Sequence, residues 1–338
     1  MCAQDRDVEA HDPVIGKDGD TYYLFFTGKG IRVKSSKDLV SWKDEAPVFK
    51  HTPEWVTNVV PKFGGDIWAP DIFHHDGTFY LFYAVSAFGR NTSAIGVATN
   101  RTLNPKSPDF GWKDLGVVVR SVPGRDLWNA IDPNVTIDEH GTPWMTFGSF
   151  WMGIKLVKLN PDLTSIATGS DEEWHTLASR NRDPAVDDRD AGDSANPELD
   201  YKSLYSPGQL ERNRSMKSGA IEAPFLFRKN GMWFLFASWD RCCQGVASSY
   251  KIIVGCAKDI RGPYLDKDGK RLVRGGGTII CRGDGKNWAA TGHPAAYTFD
   301  GTDYLVFHAY DLKDQGKSKL RVREIHWIDG WPEVDPGE

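Results

Sequence analysis

The chain repeats one pattern of apolar and polar positions five times. Each repeat begins at a proline and continues with an apolar run, a polar turn and an aromatic run. The prolines are Pro13, Pro70, Pro133, Pro224 and Pro294. Four of the five turns contain Asp-Gly or Asn-Gly, and the third contains His140-Gly141. Because such dipeptides between apolar runs favour the positive φ angles of tight hairpins, each repeat predicts two antiparallel strands.

Shorter alternating runs follow each hairpin, which leaves room for four strands in every repeat. The prolines are further apart than the ~40–50 residues of common propeller repeats, so long loops are expected. No stretch has a persuasive helical period. The pattern predicts an all-β protein, a five-bladed β-propeller, formed by a single domain over residues 1–338. The predicted blades cover roughly residues 11–45, 68–114, 131–163, 221–265 and 292–328.

Residues 165–219 interrupt the repeat. Ten of the twenty residues from 171 to 190 are charged, and apolar strands are absent from the stretch. One interpretation is a solvated insertion. The alternative is a wall at one end of an active cleft, because the segment leads directly to Glu222.

Charge and composition argue against several classes of function. A net charge of −5 argues against binding nucleic acid or an anionic membrane surface. No apolar run approaches the length of a transmembrane helix. The 13 tryptophans suffice for a large core and are also typical of sugar-stacking surfaces. We expect a monomer that acts in a secreted, periplasmic or cell-surface location.

The five cysteines have no unique pairing. Cys242 and Cys243 are adjacent, and a bond between them is strained because their Cα atoms are ~3.8 Å apart. Cys256 and Cys281 lie in separate strand-like runs and could pair. Cys2 is a candidate lipid-anchor site, as the first residue of the mature form of a longer precursor; the alternative is that it is incidental.

The repeats also predict an active site. In a propeller the first strand of each blade lines the central channel, so residues at or just before the five prolines converge at one mouth. This ring contains Asp12, Trp68, Asp132, Glu222 and His293. Neighbouring carboxylates raise one another's pKa, so one can stay protonated while another is ionised. Such a pair is what glycoside hydrolysis requires. The alternative is that these acidic residues cap turns.

The chain resembles the arabinanases of glycoside hydrolase family 43. The matching segments are His11-Asp12-Pro13, Trp68-Ala69-Pro70-Asp71-Ile72, Asn129-Ala130-Ile131-Asp132-Pro133-Asn134, Gly148-Ser149-Phe150-Trp151, Ile221-Glu222-Ala223-Pro224, Cys242-Cys243 and Gly292-His293-Pro294. The resemblance implies a five-bladed propeller that cleaves the α-1,5-L-arabinofuranosidic linkages of arabinan, a side chain of plant pectin, with inversion.

The resemblance also implies a role for each carboxylate. Asp12 matches the general base that activates water, and Glu222 matches the general acid. Asp132 matches a third carboxylate that raises the pKa of the acid and holds its orientation. Inversion requires the acid and the base to be ~6.5–9.5 Å apart, to leave room for the water.

Substrate and metal contacts follow from the same resemblance. Trp68 and Phe88 match aromatic residues that bracket the furanose, with core packing as the alternative for either one, and Ser149 matches a polar sugar contact. His293 matches a residue that reaches a central metal ion, commonly calcium, that is otherwise held by water. From chemistry alone calcium prefers oxygen ligands, so a structural or hydrogen-bonding histidine is the alternative. Strand alternation predicts that His308 lies elsewhere.

This chain departs from the family pattern in two places, and both bear on which bonds of the substrate it cuts. The segment 165–219 is long, and Gln244 stands where relatives often have arginine after the cysteine pair. The alternatives are therefore an exo-acting arabinanase, an arabinofuranosidase or a xylosidase of the same fold. An invertase-like propeller is disfavoured because its Asp-Pro-Asn motif begins the chain, whereas here it is Asp132-Pro133-Asn134. A non-catalytic carbohydrate-binding propeller has no need of three carboxylates.

Overall fold

The computed structural model describes residues 8–126, 128–167, 174–180 and 220–335. Five antiparallel sheets follow one another along the chain, and each is built from consecutive strands. The first strands of neighbouring blades pack against each other around a central channel. The prediction of an all-β, five-bladed propeller is confirmed.

The strands of the five blades run in sequence order within each sheet. Blade one contains β1 (Val14–Asp18), β2 (Thr21–Phe26), β3 (Arg32–Ser36) and β4 (Lys43–Glu45); blade two contains β5 (Trp68–His75), β6 (Thr78–Ser86), β7 (Ser93–Asn100) and β8 (Lys113–Ser121); blade three contains β9 (Asn134–Ile137), β10 (Pro143–Phe147), β11 (Ile154–Lys158) and β12 (Trp174–Ala178).

Blades four and five complete the ring. Blade four contains β13 (Ile221–Lys229), β14 (Met232–Trp239), β15 (Lys251–Ala257) and β16 (Thr278–Arg282); blade five contains β17 (Trp288–Phe299), β18 (Thr302–Asp311) and β19 (Lys317–Glu324). A short helix, α1 (Trp55–Val59), lies between blades one and two, and a hairpin of β20 (His326–Ile328) and β21 (Trp331–Glu333) follows blade five.

The N-terminal segment closes the propeller. The N–H of Leu320 donates a hydrogen bond to the carbonyl of Val8 at 2.8 Å, and the N–H of Ala10 donates to the carbonyl of Ser318 at 3.2 Å. Residues 8–10 therefore lie along the outer edge of β19, where the other blades have a fourth strand. These contacts join the first described residues to the last blade.

The predicted hairpin turns form. Asp76-Gly77, Asn230-Gly231 and Asp300-Gly301 each have positive φ at both residues, as two-residue type I′ turns require. Aromatic residues of the second strands, such as Phe25 and Phe82, are almost fully buried. The aromatic runs thus supply the packing between blades.

Some predicted boundaries are wrong. β12 lies inside the segment 165–219, which was expected to lack strands. Trp174 is buried and packs against Trp128, with ring centroids 5.3 Å apart, and Leu177 is buried as well. The charged residues just before Trp174 concealed this apolar spacing. Residues 181–219 lie outside the described part.

The predicted last residues of blades two and four are also wrong, because both blades extend further along the chain. β8 ends at Ser121 rather than at 114, and β16 ends at Arg282 rather than at 265. Cys256 and Cys281, which the sequence left as possible partners, are both free thiols. In the described ranges no helix is both long and apolar enough to cross a membrane.

Candidate active site

Each inner strand bends at the residue that precedes its proline. These five residues all have positive φ: Asp12 (54°), Ala69 (42°), Asp132 (57°), Ala223 (53°) and His293 (58°). The left-handed conformation costs a non-glycine residue roughly 1–2 kcal/mol, but a following proline also disfavours the right-handed helical alternative. Three of the bends coincide with a shift in strand register, in β5, β13 and β17. The bends form one ring at one mouth of the channel.

A cavity of about 500 Å³ opens at this mouth. All seven residues that the sequence predicted for the site line it: Asp12, Trp68, Phe88, Asp132, Ser149, Glu222 and His293. They come from all five blades, so the closure of the ring creates the cavity. Gln244 also lines it.

Asp12 lies between two histidines. Its Oδ1 is 2.8 Å from His11 Nδ1 and 3.0 Å from His293 Nδ1. The hydroxyl of Thr27 donates a hydrogen bond to its Oδ2 at 2.5 Å. Burial disfavours the charged form, but the charges and hydrogen bonds of His11 and His293 outweigh it and hold the pKa of Asp12 well below its ordinary value. Asp12 is therefore ionised.

Glu222 has the opposite electrostatic environment. The hydroxyl of Ser149 donates to its Oε2 at 2.5 Å, and the hydroxyl of Tyr250 donates to its Oε1 at 2.7 Å. Burial raises the pKa of Glu222 above its ordinary value, although both hydrogen bonds act against that shift. Glu222 is thus suited to hold a proton in the same cavity in which Asp12 is charged.

Asp132 lies near both of these carboxyl groups. Its Oδ2 accepts a hydrogen bond from the N–H of Ala223 at 3.1 Å. Burial raises the pKa of Asp132 well above its ordinary value; the charge of His293 opposes this rise, and the charges of Glu222 and Asp12 add to it. Proton uptake at Asp132 is therefore linked to the state of Glu222.

The aromatic and polar residues that were predicted to contact sugar differ in their exposure to solvent. Phe88 is 77% exposed, and its ring lies edge-on to Trp68 with centroids 6.5 Å apart. Such a bare aromatic ring is available to a ligand. Ser149 is buried, and its hydroxyl is directed to Glu222, so it contacts the acid as well as the cavity.

The prediction from strand alternation that His308 lies away from the site is wrong. The N–H of Asp12 donates a hydrogen bond to His308 Nδ1 at 3.1 Å, and the ring of His308 stacks on His11 with centroids 4.2 Å apart. The shift in register between Gly292 and Ala295 on β17 changes the alternation between β17 and β18. His308 therefore belongs to the site.

Sequence reasoning also missed His11 and Tyr250. His11 precedes Asp12 in a quoted motif, so its position was a signal that could have been used. Tyr250 precedes β15, far from any repeat motif, and no sequence pattern identified it. Both contact a carboxylate of the ring, His11 that of Asp12 and Tyr250 that of Glu222.

The fit to a metal ion depends on His293. Its Nδ1 contacts Asp12, which leaves Nε2 as the nitrogen that can bind an ion. Both oxygens of Asp12 already have hydrogen-bonding partners, so the residues around His293 do not form the oxygen cage that calcium usually has. They fit an ion held by one imidazole nitrogen and otherwise by water.

The chain is similar in sequence to known proteins of one family. Residues 7–188 and 193–332 match the family model described as glycosyl hydrolases family 43. The chain is 48% identical over 334 residues to the extracellular exo-alpha-(1->5)-L-arabinofuranosidase ArbA of Cellvibrio japonicus, covering 98% of this chain and 88% of that protein. It is 39% identical over 326 residues to the extracellular endo-alpha-(1->5)-L-arabinanase 1 of Bacillus subtilis, covering 95% and 86%.

Solved structures give the same result. The Cellvibrio cellulosa alpha-L-arabinanase complexed with arabinohexaose has a TM-score of 0.84 and 48% identity to this chain, covering 97% of this chain and 96% of its own. An exo-1,5-alpha-L-arabinanase from a bovine ruminal metagenomic library has a TM-score of 0.82 and 40% identity, with 97% of each chain covered.

Proposed function

The chain belongs to glycosyl hydrolase family 43 and is a glycoside hydrolase, and from that premise we propose that it hydrolyses the α-1,5-L-arabinofuranosidic bonds of arabinan with inversion. The observation that carries the proposal is that two carboxyl groups line one cavity with pKa values shifted in opposite directions, that of Asp12 down and that of Glu222 up. An inverting glycosidase needs an ionised base and a protonated acid at the same time.

In this mechanism Glu222 donates its proton to the oxygen of the leaving sugar. Asp12 removes a proton from water on the opposite face of the furanose, and the water attacks the anomeric carbon. His11, His293 and Thr27 hold the carboxylate of Asp12 in place, which fixes the direction from which the water arrives. Asp132 limits the loss of the proton from Glu222, because two charges there repel each other.

Trp68 and Phe88 are the proposed platform for the terminal furanose. The C–H face of a sugar packs on an aromatic ring through apolar contact, and the exposed ring of Phe88 leaves such a face open. Ser149 acts mainly through Glu222, to which it donates a hydrogen bond. Its contact with sugar is secondary.

We further propose that one calcium or similar ion binds His293 through Nε2, with water as its other ligands. Bound there, the ion supplies positive charge on the channel axis. Treatment with a chelator followed by metal analysis and activity assay tests this. Activity and thermal midpoint should both fall and should return when calcium is added. A metal-free protein with full activity would reject the ion.

The location is proposed from the relatives, two of which are named extracellular. We propose that this protein is a monomer that acts outside the cytoplasm on arabinan or arabino-oligosaccharides, with Cys2 as a candidate lipid anchor. Cys2 lies outside the described residues. Radiolabelled fatty acid incorporation in cells that express the complete gene tests the anchor, and an unlabelled protein rejects it.

Action from a chain end is a second candidate, because two similar proteins are named as exo-acting. The segment 165–219 would form the blocking wall, but residues 181–219 lie outside the described part. Relatives named endo-acting share the same fold and family as those named exo-acting. Endo action is the main proposal, and the product pattern discriminates it from action at a chain end.

The test is the product pattern over time on linear and branched arabinan, with an arylxyloside as control. A spread of arabino-oligosaccharides from the earliest sample supports endo action. A single small product, arabinose or arabinobiose, supports action from a terminus. Activity on the xyloside alone contradicts the proposed substrate.

A further inference from the structure

Two adjacent thiols lie in the wall of the catalytic cavity, and the hydrolytic mechanism uses neither. Cys243 is exposed, has a positive φ of 64° and lines the cavity. Its N–H donates a hydrogen bond to the hydroxyl of Tyr310 at 2.9 Å. Cys242 is half-buried and packs against a cluster that includes Tyr250 and Tyr310.

Cys243 forms an array with the residues beside it. Its Sγ is 3.7 Å from Nε2 of His11, and Nδ1 of the same ring is 2.8 Å from Oδ1 of Asp12. A thiol, an imidazole and a carboxylate in this order are the arrangement that activates cysteine nucleophiles in unrelated enzymes. The imidazole is fixed further by stacking on His308, and its Nε2 also lies 3.0 Å from the hydroxyl of Tyr310.

We propose that Cys243 is an activated nucleophile that reacts with small peroxides, and that Cys242 then converts the oxidised sulfur into a reversible disulfide within the cavity wall. The two thiols take no part in hydrolysis, but Cys243 shares His11 with the proposed base, Asp12. The modification gives the cavity a thiol reaction whose state affects hydrolysis.

The electrostatics of the pair support this division of roles. The hydrogen bond from Cys242, together with the hydrogen bond and charge of His11, lowers the pKa of Cys243 to about 5 although burial opposes the shift. The pKa of Cys242 is raised well above its ordinary value by its hydrogen bond to Cys243 and by burial. One sulfur is thus a thiolate at neutral pH, and the other keeps its proton.

The other two described cysteines are poor competitors. Burial raises the pKa of Cys256, and it raises the pKa of Cys281 to about 12. Because the thiolate is the reacting species, both should react far more slowly than Cys243.

The reaction balances without a further reagent. The Cys243 thiolate attacks one oxygen of the peroxide, the O–O bond breaks, and with one proton the products are a sulfenic acid and water. The Cys242 sulfur then attacks the sulfenic sulfur and gives its proton to the departing hydroxide, so that the S–O bond breaks and a second water leaves. Two thiols are oxidised to one disulfide, and one hydrogen peroxide is reduced to two waters.

The disulfide is expected to disturb catalysis. It draws the Cys243 sulfur away from His11 and toward Cys242, which packs against the cluster containing Tyr250. Tyr250 donates a hydrogen bond to Glu222 at 2.7 Å, so the change reaches the proposed acid through one side chain. Because adjacent Cα atoms are closer than usual in disulfides, the bond should be strained and readily reduced.

The test combines thiol labelling with mass spectrometry. Iodoacetamide should label Cys243 at nearly equal rates at pH 6 and pH 8.5, whereas an ordinary thiol should be about 100-fold slower at pH 6. After treatment with hydrogen peroxide, the peptide that carries Cys242 and Cys243 should lose two hydrogen atoms, and dithiothreitol should restore them. Arabinan hydrolysis should fall and recover in parallel; this last readout alone rests on the proposed function.

Matched variants separate the roles. Cys242→Ser should still be oxidised at Cys243 and should accumulate a sulfenic acid that dimedone traps, with no disulfide. Cys243→Ser should resist peroxide inactivation, measured against its own starting activity. Cys256→Ser, which keeps both cavity thiols, should behave as the unaltered protein.

Two results would overturn the inference. One is Cys243 labelling at pH 6 no faster than Cys256; the other is oxidation that leaves Cys242 and Cys243 unpaired in the unaltered protein. Since both are read by mass, they are independent of whether arabinan is the substrate. A chain that cleaves no arabinan but forms the disulfide would contradict the proposed function and keep this inference.

Discussion

Each inner strand has one end at the catalytic mouth and one at its hairpin turn, here called the turn end. At the turn ends the residues with positive φ are Asp-Gly and Asn-Gly dipeptides. At the mouth they are aspartate, alanine and histidine, each followed by proline. At the turn ends glycine adopts this conformation without strain, and no neighbouring atom lies within 4 Å of a Cβ built at Gly77, Gly231 or Gly301. At the mouth the strain remains. Strained non-glycine residues are typical of functional sites, and here they hold three of the ring side chains.

The two ends of the inner strands also differ in the direction in which the pKa of a buried carboxyl group is shifted. At the mouth, Asp12 is ionised between His11 and His293. Further along the same strands, a second cavity of about 330 Å³ contains Asp71, which is buried and accepts a hydrogen bond from the N–H of Val135 at 2.7 Å. Burial dominates there and raises the pKa of Asp71 to about 7. The two imidazoles therefore account for the opposite pKa shifts of Asp12 and Asp71.

The largest predicted effect is at the mouth. Glu222→Gln, Asp12→Asn and Asp132→Asn should each reduce turnover of arabinan by about 10³-fold, because each removes a proposed proton-transfer group or its partner. Circular dichroism should show an intact fold.

A matched change at the turn end is Asp300→Asn, which also replaces an aspartate at positive φ. Its ion pair with Lys17 is at the surface, so its loss should leave turnover within about two-fold. Equal losses in Asp12→Asn and Asp300→Asn would mean that the mouth has no special chemistry.

The second prediction concerns Asp71→Asn. The pKa of folded Asp71, about 7, lies above its ordinary value of 3.8, so its contribution to stability is complete below about pH 4 and is lost as the pH rises through about 7. The free energy of unfolding of the unaltered protein should thus fall relative to that of the variant over this range, by up to about 4 kcal/mol. Urea unfolding between pH 4 and 8 measures this difference, and a pH-independent one would exclude the titration of Asp71.

A smaller effect is expected for Ser149→Ala. The hydroxyl of Ser149 stabilises the ionised form of Glu222, so its removal should raise the pKa of that carboxyl further. The basic limb of the kcat/KM profile should move to higher pH by up to about one unit. Thr298→Ala removes a hydroxyl that bonds Asp303 near the turn end and should leave the profile unchanged. A basic limb that does not move, or that moves down, would remove Glu222 as the acid.

The smallest effects should come from the backbone itself. Gly77→Ala at the turn end should destabilise the protein by about 1–2 kcal/mol, because alanine at φ 65° is strained although its Cβ meets no atom. Ala69→Gly at the mouth relieves the same strain but adds freedom to the unfolded chain, so its net effect should be near zero. Thermal unfolding compares the two, and a large loss in Ala69→Gly would show that packing rather than φ dominates there.

The repeat, the hairpin turns and the five ring positions could be predicted from local sequence patterns. Dipeptides such as Asp76-Gly77 act through local backbone preference, which is readable from two residues. The position of Asp12, Asp132 and Glu222 beside a proline is a local signal too, because all five repeats share it.

The partners of those residues could not be predicted, because they come from distant parts of the chain. β12 is not predictable from the local pattern because Trp174 packs against Trp128, which is distant in sequence. Blade five is completed by residues 8–10, more than 300 residues away along the chain. His308 and Tyr250 reach Asp12 and Glu222 through strand register and blade closure. Such contacts depend on the energy of the whole ring, which no local pattern encodes.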